Sequence, residues 1–197
     1  MAVKFDYAPG ATPLDHDETA GLIPAHITTQ GQLNEWEARN ILRGENWAFS
    51  RKHDDLLSLQ FMRLLHGKLF GDTWKWAGVF RTTAKNIGIE AGQIGSELTK
   101  LCGDVAHQIV HKSYPLDEMA ARFHQRLTWI HPFPNGNGRF SRTMADLLLV
   151  QNGVERFTWG AGNLADPGDV RHRYIESLHA ADQKDCAPLL NFIRSQQ

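Results

Sequence analysis

The chain has 197 residues, of which 42% are hydrophobic and 22% are charged, and its formal net charge at pH 7 is −1. These values are typical of a globular protein and exclude a disordered or fibrous chain. A dedicated nucleic-acid-binding protein usually carries a basic excess, so no direct nucleic-acid binding is expected. The apolar runs are too short for a membrane-spanning helix, and no signal segment is recognisable at the N-terminus. We therefore expect a cytoplasmic protein with no membrane contact.

Proline and glycine dominate the first thirty or so residues, which show no sustained hydrophobic periodicity. This pattern predicts an extended N-terminal arm at residues 1–32. The remaining length suits one well-buried core better than two, so residues 33–197 are predicted to form a single domain.

Hydrophobic residues recur at helical spacing through most of this domain. Helices are predicted from about residue 33, over 54–71, 94–111, 117–129, 140–152, 168–180 and 188–193. The aromatic and β-branched segment at residues 74–90 is interrupted by Asn86 and Gly88 and predicts a short β-hairpin. The predicted fold class is all-α with one small hairpin.

One stretch between two helical patterns, WIHPFPNGNGRFSR at residues 129–142, combines turn residues with charged ones. Its two Asn-Gly steps favour positive φ angles, and successive amides in such a loop can form a concave anion site. The loop runs into a helix N-terminus, which also favours phosphate. Arg139 and Arg142 would oppose the helix dipole there, unless a bound polyanion reverses the sign of that cost.

His131 lies at the other end of this loop. An imidazole accepts a proton near neutral pH, so a histidine beside a phosphate site predicts activation of a hydroxyl that attacks phosphorus. On residue types alone, a structural histidine in an ordinary connecting loop remains an equal alternative. Arg171 and Arg173 could also approach a nucleotide, although a solvated helix face is the simpler interpretation.

The segment HPFPNGNGRFSR closely resembles the signature of Fic-domain proteins (Fic/Doc family), H-P-F-x-(Asp/Glu)-G-N-G-R-x-x-R. It departs from that signature only at Asn135. The flanking segments at residues 65–83 and 147–193 are similar to the helices and strand around the Fic motif. Within the family, the start HITTQGQLNEWEARNI and the motif asparagine resemble the bacterial subgroup called mobile mystery protein B.

The resemblance implies a Fic-type helical domain that acts as a protein adenylyltransferase, transferring AMP from ATP to a Ser, Thr or Tyr hydroxyl of a target protein. His131 would be the general base. The resemblance also implies nucleotide-binding roles for residues of the motif: Asn135, Gly136, Asn137, Gly138, Arg139 and Arg142. Residues of the predicted hairpin would form a flap that holds the target as an added strand: Thr82, Thr83, Lys85, Asn86, Ile87 and Gly88.

Asn135 replaces the acidic residue that ligates Mg²⁺ in the family, and an amide oxygen is a weaker ligand for magnesium than a carboxylate. Three outcomes stay open: the metal still binds through the nucleotide phosphates, the transferred group differs, or activity is low. The first is favoured because the rest of the motif is intact. A silenced or non-catalytic nucleotide-binding module is the alternative function.

Many Fic proteins contain an inhibitory glutamate, and Glu45 in the segment ILRGEN is the nearest candidate here. A solvated helix charge is the simpler interpretation of Glu45, because the expected hydroxyl residue is missing from the pattern. The subgroup resemblance implies a separately encoded helix-turn-helix or antitoxin-like partner as another source of inhibition.

Overall fold

The computed structural model describes residues 12–162, 164 and 168–195. Within these residues the chain forms eight α-helices and two short 3-10 turns, at Ala91–Gln93 and Trp159–Ala161. The helices are α1 (His16–Thr19), α2 (Gln30–Phe49), α3 (Leu59–Phe70), α4 (Ile94–His111), α5 (Leu116–Ile130), α6 (Asn137–Gln151), α7 (Asp169–Asp182) and α8 (Ala187–Arg194). The predicted all-α class is confirmed.

The predicted helices appear close to their expected bounds, apart from the start of α3. The pattern placed that start at residue 54, whereas α3 begins at Leu59. The hydroxyl of Ser58 accepts a hydrogen bond from the Phe61 N–H at 3.0 Å and caps the helix. A serine cap of this kind satisfies an amide that has no partner within the helix, which explains the later start.

The core lies where α5 and α6 pack together, with α3 and α4 against them. Large side chains that are fully buried include Phe61, Leu65, Leu98, Phe123, Leu127, Phe133 and Phe140. The helix α2 packs on α3 at Gly44, where an added Cβ would approach the Lys68 carbonyl oxygen to 2.6 Å. The α5–α6 pair encloses the start of the connecting loop, where residues 131–134 are buried.

The N-terminal segment before α2 lies against the connection that follows α3. The Ile23 N–H donates to the Thr73 carbonyl and the Lys75 N–H donates to the Gly21 carbonyl, both at 2.9 Å. Residues 1–11 of the predicted arm lie outside the described residues. The division into an arm at 1–32 and a domain at 33–197 remains a prediction.

The expected β-hairpin is not seen, because residues 79–90 form bends and an extended connection without a strand ladder. The backbone groups that would pair across a hairpin bond elsewhere. The Arg81 N–H donates to the Pro132 carbonyl at 2.9 Å, and the Ile89 N–H donates to the Ile130 carbonyl at 3.5 Å. Both ends of this connection therefore bond to the end of α5 and the loop after it. We refer to residues 79–90 as the flap segment.

Neither cysteine forms a disulfide, and both Cys102 and Cys186 are buried. Burial raises the pKa of the Cys102 thiol to about 11. Among the described residues, no helix combines the length and apolar character needed to cross a membrane.

Candidate active site between α5 and α6

The loop between α5 and α6 is closed by the side chain of Asn137. Its Oδ1 accepts a hydrogen bond from the Phe133 N–H at 2.9 Å, and its Nδ2 donates to the Phe133 carbonyl at 2.8 Å. Both partners are buried backbone groups, which are costly to leave unpaired. The Asn137 side chain therefore shapes the loop from within, and its backbone N–H is the group left for a ligand.

Gly136 turns the chain into α6 with a φ of 76°. An added Cβ at this position would lie 2.5 Å from Cζ of Phe70, so the close packing of the loop on that ring requires glycine. The N-cap residue of α6 is Gly136, which has no side chain to cap the helix. The amides of Asn137, Gly138 and Arg139 form its first turn, where a helix leaves N–H groups unpaired and favours an anion.

His66 of α3 contacts this loop through a hydrogen bond and a ring stack. The Gly78 N–H donates a hydrogen bond to the His66 Nδ1 at 3.0 Å. Because Nδ1 is the acceptor, the ring proton is assigned to Nε2. That Nε2–H then donates to the Asn135 carbonyl at 3.1 Å. The ring stacks on Phe133 with centroids 3.7 Å apart. Burial lowers the pKa of His66 to about 3, so it is a neutral, fixed donor at physiological pH.

His131 is the residue that ends α5, and it adopts a left-handed conformation with φ 54°. Its carbonyl accepts a 2.7 Å hydrogen bond from Nε of the buried Arg81. The Arg81 guanidinium also donates to the Thr83 and Ile89 carbonyls. A single cation therefore ties the flap segment to the helix end that presents the imidazole.

The imidazole of His131 is 5% exposed and faces Thr12 of the N-terminal segment. Its Nε2 lies 3.0 Å from the Thr12 Oγ1, while Nδ1 has no hydrogen-bond partner among the described residues. Burial, followed by the positive charge of Arg81, lowers the pKa of His131 to about 4. The ring is consequently neutral at pH 7, and one of its nitrogens is available to accept a proton.

Three arginines lie near the start of α6. Arg139 forms a 3.0 Å ion pair with Glu37 of α2. The Arg142 guanidinium lies 5.7 Å from the centre of the Tyr174 ring. Burial lowers the pKa of Arg171, and the positive charges of Arg142 and Arg139 lower it further. Such a concentration of cations beside an uncapped helix end suits a polyphosphate ligand.

Asn135 contacts both the helix start and the N-terminal segment. Its Oδ1 accepts from the Gly136 N–H at 2.7 Å, and its Nδ2 donates to the Thr12 carbonyl at 2.8 Å. The described residues contain no cluster of three or more His, Cys, Asp or Glu side chains that could hold a metal. Asn135 could therefore supply one weak, neutral ligand to a magnesium ion. The remaining ligands would come from a nucleotide and water.

The flap residues Thr82, Asn86, Ile87 and Gly88 are exposed, whereas the Lys85 side chain is almost fully buried. Gly88 lies against His131, because an added Cβ would be 2.6 Å from the His131 Cβ. Thr83 and Lys85 bond to Asp15 of the N-terminal segment.

Glu45 of α2 lies against α6 at Thr143. Its carboxylate lies 3.8 Å from Arg156 and 3.4 Å from the Thr143 hydroxyl, and within the described residues it forms no ion pair with Arg142. The inhibitory role considered for Glu45 remains a prediction.

Thr12 contacts both His131 and Asn135, Asn135 bonds to Gly136, and Gly88 of the flap segment lies against His131. Four contributors escaped the sequence analysis: Thr12, Glu37, His66 and Arg81. None of them belongs to a recognisable local motif, since each acts through a contact with a residue distant in sequence.

Residues 56–149 match the family model described as the Fic/DOC family. Protein adenylyltransferase fic-1 from Caenorhabditis elegans is 24% identical over 190 residues, which cover 94% of this chain and 33% of that protein. Protein adenylyltransferase Fic from Nematostella vectensis is 26% identical over 194 residues, covering 94% and 39% respectively. The chain thus spans between 33% and 39% of the length of these curated relatives.

Solved structures give the same fold. The N-terminal Fic domain of a VirB-translocated effector from Bartonella quintana matches with a TM-score of 0.71 at 20% identity, covering 91% of this chain and 92% of that one. BepC from Bartonella tribocorum, solved with bound AMPPNP, matches with a TM-score of 0.68 at 21% identity, covering 91% and 97%. At these identities the likeness establishes a shared fold.

Proposed function

Because residues 56–149 match the Fic/DOC family model, we propose that this chain is a protein adenylyltransferase that transfers AMP from ATP to a hydroxyl of a target protein. The observation that carries the proposal is the 3.0 Å contact between His131 Nε2 and a hydroxyl oxygen, beside an uncapped helix N-terminus. A base, an alcohol and an anion site are thereby adjacent, which is the set that nucleotidyl transfer needs. Relatives named adenylyltransferases support the same reaction.

His131 is proposed as the general base. Burial keeps the ring neutral at pH 7, with a pKa lowered to about 4. With its proton on Nδ1, the ring accepts the target hydroxyl proton at Nε2 as the oxygen attacks the α-phosphorus. The contact between Arg81 and the His131 carbonyl fixes the end of α5 and thereby the direction of the imidazole.

The start of α6 is proposed as the phosphate site. The backbone amides of Asn137 and Gly138, together with the turn at Gly136, would hold the α- and β-phosphate oxygens. Arg139 and Arg142 would neutralise the charge that develops on the leaving pyrophosphate. Arg171 adds a third guanidinium to this group. Since Arg139 is paired with Glu37, nucleotide binding would compete with that ion pair.

The substrate is proposed to be the magnesium complex of ATP. A magnesium ion bound to the phosphates neutralises part of their negative charge, and the Asn135 Oδ1 offers it one neutral oxygen. That oxygen already accepts from the Gly136 N–H, so it has only one lone pair left for a metal.

The flap segment is proposed to hold the target. Thr82, Asn86 and Ile87 are exposed on the same segment as Gly88, which lies against His131, and the side chains of Thr83 and Lys85 bond to the Asp15 carboxylate of the N-terminal segment. A target strand paired through its backbone with this segment would be selected by its extended conformation more than by its side-chain sequence.

We further propose a reducing, cytoplasmic setting, which free buried cysteines fit. The mobile mystery protein B subgroup, and a helix-turn-helix or antitoxin-like protein as the inhibitor, are proposals that rest on the sequence resemblance. The alternative function, a silenced nucleotide-binding module or a transferase of another phosphate-containing group, is favoured by one observation: the amide of Asn135 where the family has a carboxylate.

The test is transfer of label from α-labelled ATP to proteins of a cell lysate. The parent chain, His131→Ala and the matched control His111→Ala are compared, because His111 is exposed and lies outside the site. Label is expected with the parent and the control and is expected to be lost with His131→Ala. Equal labelling by His131→Ala would remove His131 as the base. ATP binding without any transfer would support the binding-module alternative.

A further inference from the structure

Thr12 lies in the position of a reacting alcohol. Its hydroxyl is 3.0 Å from the Nε2 of His131, although the two residues are 119 positions apart. Thr12 is only 6% exposed, so this hydroxyl is enclosed by the site. Its carbonyl accepts a 2.8 Å hydrogen bond from the Asn135 Nδ2. Since Asn135 also bonds to the Gly136 N–H, the Thr12 backbone lies directly beside the loop that leads into α6.

The residues that follow Thr12 are held by the flap segment. The Lys85 ammonium lies 3.0 Å from Asp15 and 2.5 Å from Glu18, and the Thr83 hydroxyl donates to Asp15 at 3.2 Å. The hydrogen bond from Lys85 lowers the pKa of the Asp15 carboxyl, so Asp15 stays ionised and paired. At Thr83 and Lys85, the flap segment that we propose as the docking site for targets is therefore already bound by this chain's own N-terminal segment.

A second set of contacts fixes the register of this segment. The Trp76 indole N–H donates to the Glu18 carbonyl at 3.0 Å. Gly21 packs on the same ring, where an added Cβ would lie 2.8 Å from the Trp76 Cδ1. Because the segment is anchored on both sides of α1, it cannot slide by one residue without losing these contacts. These contacts place the Thr12 hydroxyl, and no neighbouring hydroxyl, next to the His131 imidazole.

From this geometry we infer that Thr12 is an acceptor of the chain's own transfer reaction. The inference rests on the proposed function. The Thr12 oxygen attacks the α-phosphorus of a nucleoside triphosphate, and its proton passes to the Nε2 of His131. The bond between the α-phosphorus and the bridging oxygen breaks, and pyrophosphate leaves with the bonding electrons. The product is a phosphodiester that joins the Thr12 oxygen to the nucleoside monophosphate.

This arrangement also limits access to the base. While Thr12 occupies Nε2 and Asp15 occupies Lys85, a hydroxyl from another protein has no place beside His131. Transfer to external proteins therefore requires the N-terminal segment to leave. Its hold on the flap consists largely of ion pairs and hydrogen bonds. Asp15, one of the two acidic residues that pair with Lys85, is half exposed, so salt weakens part of that hold.

The experiment uses the full chain and α-labelled ATP, with two separate readouts in the same sample. Labelling of lysate proteins reports the proposed function, and fragmentation of the labelled chain by mass spectrometry locates self-modification. Thr12→Val removes the hydroxyl and keeps the side-chain shape, while Thr12→Ser is the matched control that keeps a hydroxyl. Adenylylation of the peptide that contains residue 12 is expected in the parent and in Thr12→Ser. It is expected to be absent from Thr12→Val, which still labels lysate proteins.

Two results would overturn the inference alone: lysate proteins that are labelled while the parent's residue 12 stays unmodified, or self-labelling that persists undiminished in Thr12→Val. Absence of label from lysate proteins and from the chain alike would overturn the proposed function, and with it the acceptor role. A mixture of the parent with a tagged His131→Ala chain tests the intramolecular geometry. The tagged chain is expected to stay unlabelled, and equal labelling of both chains would contradict presentation of Thr12 within one molecule.

Discussion

The guanidinium of Arg139 forms a 3.0 Å ion pair with the carboxylate of Glu37, a residue of α2 that precedes it by 102 positions. The other carboxylate oxygen of Glu37 accepts a 2.7 Å hydrogen bond from the Trp74 indole. A motif arginine at the proposed phosphate site is thus held by a fixed carboxylate. In the proposed function this relationship would set a cost on nucleotide binding, because phosphate would have to displace or share the guanidinium.

Glu37→Gln is expected to bind ATP several-fold more tightly, because the change removes a negative charge next to the phosphate site and frees Arg139. Stability should change by about 1 kcal/mol or less, since the pair is partly solvated and glutamine can still accept from the indole. Calorimetric titration with a non-hydrolysable ATP analogue measures the affinity. Glu35→Gln removes the same charge from an exposed position of α2 and is the matched control. Unchanged affinity in Glu37→Gln would contradict the competition.

Gly136→Ala is expected to destabilise the protein strongly. The positive φ costs about 1–2 kcal/mol for an alanine, and the contact with Phe70 adds about 1–3 kcal/mol of overpacking. Gly153→Ala is the control, because Gly153 has φ 78° and no atom within 4 Å of an added Cβ. Urea unfolding of both variants separates the two contributions. Equal losses in the two variants would show that the Phe70 contact carries no cost.

Asn137→Ala is expected to destabilise the loop, since the N–H and carbonyl of Phe133 both lose their partner. Each buried backbone group left unpaired costs about 1–3 kcal/mol. Asn152→Ala removes a single hydrogen bond at an exposed position, so it should change stability by about 0.5 kcal/mol or less. Chemical denaturation measures both variants. A loss in Asn137→Ala as small as that of the control would mean that water replaces the side chain.

The imidazole of His131 is expected to titrate near pH 4, well below its ordinary value of 6.5. The folded chain then binds fewer protons than the unfolded chain between about pH 4 and 6.5. The stability contributed by neutral His131 is therefore complete above pH 6.5 and declines as the pH falls toward 4. Nuclear magnetic resonance titration of the histidine side chains measures the midpoint, with the urea-unfolded chain as reference. A midpoint near 6.5 in the folded chain would contradict the buried position of the ring.

Asn135→Asp is expected to strengthen the dependence of nucleotide binding on Mg²⁺, because a carboxylate is a better ligand than an amide. The aspartate also loses the hydrogen bond to the Thr12 carbonyl and should loosen the N-terminal segment. Titration of Mg²⁺ at fixed ATP measures the first effect. Asn135→Ala loses the same hydrogen bond without adding charge and serves as the control. An unchanged metal titration in Asn135→Asp would count against a ligand role at this position.

The helices were predictable because their hydrophobic periodicity is local, and α4 begins and ends where the pattern places it. The start of α3 was predicted too early, since the pair of aspartates at 54–55 and Ser58 both fit a helix start and only the Ser58 hydroxyl reaches an amide. The hairpin was predicted from β-forming residues at 74–90, but a ladder needs two facing strands. Contacts with the end of α5 and the following loop take the backbone groups that a ladder would use.

The motif loop was likewise predictable only in part. The asparagine and glycine steps, the helix that follows them and the imidazole at the entrance lie in consecutive residues. The sequence by itself therefore determined a turn that leads from a histidine into a helix start, and it predicted a phosphate site and a base there. The sequence did not indicate which groups orient His131 and Asn135, because Arg81 and His66 reach them across 50 and 69 positions. Packing of α3 and the flap segment against α5 decides those contacts. Only the tertiary structure places Thr12 next to the His131 imidazole and Glu37 next to Arg139. Hydrogen bonds and ion pairs act over a few ångströms. Local periodicity does not indicate which residues distant in sequence come within that range.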